Sequence, residues 1–131
     1  MKKILFATLL CLGMLTACQR PEKQVESVAS TFLKDYYAAD YAAAANSCTP
    51  RFAALVAQGA DDQEALPADL AQKIKEAARQ TSFKIISIEL DVDAASARVN
   101  YDVYVPGLEK PVRQALRLQF EGGTALVGGI E

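Results

Sequence analysis

No histidine occurs among the 131 residues, which removes the commonest general base near neutral pH and the commonest metal ligand. The thiols are Cys11, Cys18 and Cys48. Without an imidazole to take its proton, Cys48 reads as a small buried residue on a helix rather than a nucleophile, and zinc or Cys/His sites cannot be assembled. Asp61, Asp62 and Glu64 lie close together, but the alternating oxygen ligands, central glycine and distal bidentate glutamate of a calcium loop are missing, so a solvated loop is expected. Gly122-Gly123 and Gly128-Gly129 lack the lysine and following helix of a phosphate-cradling loop. No metal and no cofactor is therefore expected. Arg113 and Arg117, on one face of an expected strand, could bind a carboxylate or a partner, and serve equally well as outward-facing charges of a sheet.

The first residues carry a different kind of chemistry. Met1 to Ala17 has the layout of an export signal: Lys2 and Lys3 form the positive end, and Ile4 to Leu15 is an uncharged, largely apolar run. As a helix that run rises about 18 Å at roughly 1.5 Å per residue, short of a ~30 Å hydrocarbon core. It ends in Leu15-Thr16-Ala17-Cys18, which resembles the lipobox of bacterial lipoproteins. The resemblance implies a thioether between Cys18 and diacylglycerol, cleavage before Cys18, and acylation of the freed amine, with palmitate a typical chain. Two or three acyl chains hold firmly where one holds marginally, at about 0.8 kcal/mol per buried methylene. Cys11 leaves with the leader, so no internal disulfide is available and packing must hold the fold.

Once Lys2 and Lys3 leave with the leader, the 14 basic side chains fall to 12 against 16 acidic ones, a net of about −4. The charges are interspersed and no basic cluster appears, which argues against nucleic acid and against electrostatic docking on anionic lipid.

The elements that must position the remaining residues follow from periodicity. Residues 18–24 read as a polar, lipidated tether containing Pro21, and 25–131 as one domain. Val25, Val28, Ala29, Phe32, Leu33, Tyr36 and Tyr37 recur at helical spacing. Asp40 can cap a short helix through Tyr41 to Ser47. Thr49-Pro50 opens another through Phe52, Leu55 and Val56, with Gly59 as its stop. Pro67 opens a fourth, placing Leu70, Ile74, Ala77 and Ala78 on its apolar side.

From Ser82 the period becomes two. The first strand is expected to bury Ile86, Ile88, Leu90 and Val92 and to turn at Asp93-Ala94-Ala95. The second buries Ala97, Val99, Tyr101, Val103 and Val105, with Arg98, Asn100, Asp102 and Tyr104 opposite. Pro106-Gly107 breaks it. The third buries Val112, Leu116, Leu118 and Phe120, with Gln114 a polar member of the inner set. Glu121-Gly122-Gly123-Thr124 is a hairpin turn, and Gly128-Gly129 marks a bulge or a frayed end in the last strand.

Helices first and hairpin-linked strands afterwards predict an α+β domain with N-terminal helices packed on a curved antiparallel sheet of about four strands. The order resembles the NTF2-like (cystatin-like) superfamily, a helical cone on a curved sheet, and within it the small lipoproteins of Bacteroidetes-type bacteria. The residues that carry the resemblance are the helix Val25 to Tyr37 running into Ala39-Asp40-Tyr41-Ala42-Ala43-Ala44, then Cys48-Thr49-Pro50-Arg51-Phe52, the strand Ile86 to Val92, and Glu121-Gly122-Gly123-Thr124-Ala125-Leu126-Val127. Relatives often carry an aromatic after the glycine turn, where this chain has Ala125.

The resemblance implies a cone that can hold a pocket, in which ketosteroid-isomerase-like relatives use a tyrosine and a carboxylate base. Tyr36, Tyr37, Tyr41 and Tyr101 are the hydroxyl candidates, and Asp35, Asp40 and Asp102 the carboxylates. Tyr36 and Tyr37 fall on the apolar stripe, which favours a core role, and a cone filled by Phe32, Tyr36, Phe52 and Leu70 would argue against a reaction chamber. The expectation is an envelope lipoprotein, held at the outer rather than the inner membrane because Gln19 follows Cys18. Its non-catalytic domain would bind an envelope protein, a glycan or a small ligand, or serve as an accessory subunit. The alternative is a cofactor-free pocket enzyme of isomerase or dehydratase type.

Overall fold

The computed structural model describes residues 21–131; the leader, Leu15, Thr16, Ala17, Cys11 and Cys18 lie outside the described residues. Four helices come first, α1 (Pro21–Tyr37), α2 (Tyr41–Ala45), α3 (Pro50–Glu64) and α4 (Ala68–Arg79). Strands β1 (Ser82–Asp91), β2 (Ser96–Tyr104), β3 (Val112–Glu121) and β4 (Thr124–Ile130) follow. They form one antiparallel sheet in the order β1-β2-β3-β4, so every neighbour in space is a neighbour in sequence. The architecture is α+β, with helices on one face of the sheet.

The core is where the two periodicities meet. Val25, Ala29, Phe32 and Leu33 of α1 are fully buried, as are Val99 and Tyr101 of β2, Leu116 and Leu118 of β3, and Ala125 and Val127 of β4. Each large aliphatic or aromatic side chain so buried contributes about 1.5–3 kcal/mol. Pro21 to Gln24, expected as tether, belong to α1, and Gln24 ties the helix to the sheet: its Oε1 accepts the Ala125 N–H at 2.7 Å.

The caps are those the sequence predicts. Asp40 Oδ1 accepts from Ala43 N–H at 3.2 Å at the start of α2. Thr49 Oγ1 accepts from Phe52 N–H at 3.3 Å, with Pro50 at the first helical position of α3. Between these helices, Ser47 C=O and Thr49 N–H pair with Val127 at 2.8 and 2.9 Å, covering part of the outer edge of β4.

Several expectations are corrected. Gly59 does not stop α3, and the helix runs on to Glu64, so Asp61, Asp62 and Glu64 sit on its last turns rather than in a loop. In the helix Gly59 faces the Tyr41 ring, which a Cβ there would meet at 3.4 Å, an ordinary van der Waals contact. In β1 the inward residues are Phe83, Ile85 and Ile88, whereas Ile86, Leu90 and Val92 are exposed. The register with β2 shifts between Ile85 and Ser87, and the extra residue, Ile86, changes the inward parity from odd positions before it to even ones after it; Leu90 keeps the parity of Ile88, opposite Ala97, and is exposed at the end of the strand, while Val92 lies beyond it. In α4 no residue is buried and Leu70 is 43% exposed; its apolar side borders an open cleft instead of the sheet. At the ends of their strands, Val105 and Val112 are exposed too.

The readings of the two glycine pairs hold. Gly122 and Gly123 take φ values of +62° and +84° in the β3–β4 turn, the conformation a two-residue hairpin loop requires. The register of β3 with β4 shifts between Arg117 and Leu118, which leaves Gly128 as the bulged residue.

Candidate functional site

Two places gather side chains capable of recognition. The first is inside the fold, where α1 crosses the sheet. Tyr37, at the end of α1, and Tyr101, in the middle of β2, bring their hydroxyls within 3.3 Å of each other. Both donate to Oε1 of Gln114, Tyr37 at 3.1 Å and Tyr101 at 3.3 Å. Tyr101 and Gln114 are direct cross-strand partners, which is why the polar member of the inner set of β3 is tolerated there: one amide oxygen answers two buried hydroxyls. Burial raises the pKa of both tyrosines above the ordinary value, so they are neutral donors at physiological pH.

Tyr36 lies beside this pair but belongs to a different cluster. It stacks on Phe32 at 5.2 Å between ring centroids and meets Tyr37 and Tyr41 edge-on at 5.2 and 5.4 Å. Of the expected pocket residues Tyr36, Tyr37 and Tyr101, the last two are thus bonded together, and Tyr36 joins them only through ring contact.

Two of the three candidate carboxylates are occupied elsewhere. Asp40 caps α2. Asp35 lies on the last turn of α1, where its backbone carbonyl accepts the Asp40 N–H at 2.9 Å. Asp102 alternates with Tyr101 and so points to the opposite face of the sheet, where it is paired with Arg113 through Nε and, at 3.4 Å, through a terminal guanidinium nitrogen. That hydrogen bonding holds the Asp102 carboxyl below its ordinary value, with the charges of Arg113 and Lys84 adding to it. Arg117 is paired at 3.3 Å with Glu131, which also holds Arg98 at 3.1 Å. Both arginines singled out in the sequence therefore bind carboxylates of this chain.

Cys48 lies just past α2, in the segment paired to Val127. It is buried, its Sγ donates to Ala44 C=O at 3.3 Å, and burial pushes the thiol up to about 11. It is a packing residue.

The second place is an open cleft of about 550 Å³ between the helices and the end of β4. Tyr36, Tyr41, Phe52, Val56, Ile74 and Ile130 supply its apolar walls, and Asp62 and Gln63 of α3 its polar ones. Phe32 and Phe52 sit 6.1 Å apart behind it, so Phe32, Tyr36 and Phe52 do fill the cone, while Leu70 stays outside it. Expecting α3 to stop at Gly59 hid this cleft. Had the helix been carried through, Phe52, Val56, Gly59 and Gln63 would have stood at i, i+4, i+7 and i+11, one continuous stripe.

No family model matches the sequence, and no curated protein matches it. Among solved structures, the chain is similar to a protein of unknown function with a cystatin-like fold from Methylobium petroleophilum PM1. The two are 17% identical with a TM-score of 0.49, over 81% of this chain and 74% of the other.

Proposed function

We propose that this chain is a lipid-anchored protein of the bacterial envelope, joined to the outer membrane through acylated Cys18, whose folded part is a non-catalytic, NTF2-like binding domain of the Bacteroidetes-lipoprotein kind. The anchor rests on Leu15-Thr16-Ala17-Cys18 at the end of an apolar leader. Among the described residues no helix is long and apolar enough to cross a membrane. Pro21, close after Cys18, borders an apolar hollow with Leu90, Val92 and Phe120, and an apolar end is suited to lie near lipid. α1 rises about 22 Å from Pro21 to Tyr36 at roughly 1.5 Å per residue, so the cleft would open away from the anchor.

The observation that carries binding over catalysis is the partner of the inner tyrosines. A pocket enzyme of isomerase type needs a carboxylate beside its tyrosine donor; here the group between Tyr37 and Tyr101 is the neutral amide of Gln114, which cannot take a proton from a substrate. The open cleft, by contrast, has the volume of a small-ligand site.

Two measurements test the reading. Mass spectrometry of the native product should find diacylglyceryl and acyl groups on a new N-terminal Cys18, and Cys18→Ser should release the chain from the membrane fraction; a bare sulfur would sink the anchor. Pull-down of the lipidated protein from solubilised envelopes separates a small-ligand domain from an accessory subunit, because only the latter brings a stoichiometric protein partner.

A further inference from the structure

Strand β1 is left with one side unpaired. It ends the sheet, runs for ten residues, and has β2 and α1 as its principal neighbours, whereas the opposite edge, β4, is partly covered by Ser47 and Thr49. The row of backbone N–H and C=O groups on such an edge is a template for another strand. Proteins blunt edges with a proline or an inward-pointing charge, and β1 has neither: Phe83, Ile85, Ile88 and Leu90 face inward, and none of them is fully covered. A lysine and a bulge also protect edges as a rule. Here both of those features, Lys84 and the bulge at Ile86, fit a second copy of the same strand.

We infer that two copies of this chain join through β1, antiparallel about a two-fold axis between Ile86 and Ser87, into one continuous sheet with four strands from each copy. Phe83 then meets Leu90, Lys84 meets Glu89, Ile85 meets Ile88 and Ile86 meets Ser87, and the symmetry makes each pairing twice. Residues opposite one another in a sheet share a face, so a strand that alternates without a break pairs with itself only odd to odd and even to even. The bulge lifts that limit. Lys84 stands opposite Asp102 and Glu89 opposite Arg98, both on the face away from the helices, although one number is even and the other odd. Only a register centred on the bulge pairs the whole strand in phase, apolar with apolar on the helix side and lysine with glutamate on the other. Lys84 belongs to no ion pair among the described residues, and the Asp102 carboxylate opposite it is taken by Arg113. Glu89 Oε2 accepts from Asn100 at 2.9 Å, which holds the carboxylate on that face, and a carboxylate has room for a lysine as well.

The inference stands on β1 alone, not on the anchor or the cleft. Pro21 lies near the Leu90 end of β1, so the two Pro21 ends fall at opposite ends of the joined sheet; chains anchored as proposed would both reach one bilayer with their strands lying along it.

The test is sedimentation of the full chain, produced in a bacterial envelope and solubilised in a density-matched neutral detergent, from micromolar to millimolar concentration. Wild type should be a monomer and a dimer in mass-action equilibrium and go no further, because pairing uses up the free edge. Lys84→Glu and Glu89→Lys each place two like-charge pairs in the interface and should weaken the dimer about tenfold or more. Mixed in equal amounts, the two variants should restore it as a heterodimer, since every lysine again faces a glutamate. Should a variant fail to fold, the wild type still decides: the β1 amide protons that point to the free edge should exchange fast in dilute protein and slow as the dimer forms. A chain that stays monomeric throughout, a dimer indifferent to both charge reversals, a mixture that restores nothing, or a dimer whose β1 amides gain no protection overturns the pairing.

Discussion

Tyr37 and Tyr101 stand 64 positions apart in the chain and 3.3 Å apart at their hydroxyls, joined by the single amide oxygen of Gln114. This is the polar pin between the first helix and the sheet. Removing one hydroxyl leaves the other to satisfy the amide, so Tyr37→Phe or Tyr101→Phe should each cost about 1 kcal/mol in urea unfolding. Gln114→Leu removes the acceptor of both hydroxyls; one can still donate to the other, so one is left unsatisfied, at a cost of about 1–3 kcal/mol. A double-mutant cycle between Tyr101 and Gln114 should show coupling; strict additivity would mean that the geometry carries no energy.

The Asp102–Arg113 pair predicts an acid limb. Arg113 holds the folded-state carboxyl below its ordinary value of 3.8, so the pair contributes stability above that value, and the contribution is lost as pH falls through the lowered folded-state pKa. Wild type should therefore be more stable than Arg113→Ala near pH 6, and the difference should shrink below about pH 4. A ¹³C titration of the Asp102 carboxyl should move upward in the variant. No movement would remove the pair from the acid response.

Cys48 should be silent in the native protein. With its thiol at about 11, the thiolate fraction at pH 8 is about one part in 1,000, and burial blocks the reagent as well. If Cys18 is lipidated as proposed, Ellman's reagent should find no fast-reacting thiol until urea is added, and then one per chain. A fast native reaction that survives Cys18→Ser would contradict the burial of Cys48, and one lost in that variant the blocking of Cys18.

Ala95 offers a gain of stability. It holds φ at +50° in the exposed β1–β2 turn, where a Cβ costs about 1–2 kcal/mol and glycine costs less. Ala95→Gly should raise stability by about 0.5–1 kcal/mol once the extra freedom of the unfolded chain is offset. Gly123→Ala, at φ +84° with open space around it, should do the opposite by a similar amount.

The order of elements, the caps at Asp40 and Thr49, the hairpin at Gly122-Gly123 and the inner faces of β2 and, from Gln114 on, of β3 were legible in the sequence, because each follows from local periodicity or one residue's backbone preference. What was not legible depends on contacts between distant segments. Gly59 signals a stop by propensity, but in the fold it is a place where a helix passes a tyrosine ring. The bulge at Ile86 breaks a strand that reads as clean alternation, turning Phe83 and Ile85 inward ahead of it. Gln114 looked like an anomaly on the inner face until Tyr37 and Tyr101 supplied two donors. Of the expected tyrosines, Tyr37 and Tyr101 do converge, but the acid partners Asp35, Asp40 and Asp102 do not, since capping and ion pairing claim two of them locally.

The contact between Gln24 and Ala125 ties together the two extremes of the folded body. Successive hairpins can zip as they form, but the stripe Val25, Ala29, Phe32 and Leu33 is fully covered only once β4 joins β1 and β2 against the helix, and such non-local closures are the slow ones. In a refolding chain the last strand would therefore set the pace at which the amino-terminal helix is sealed.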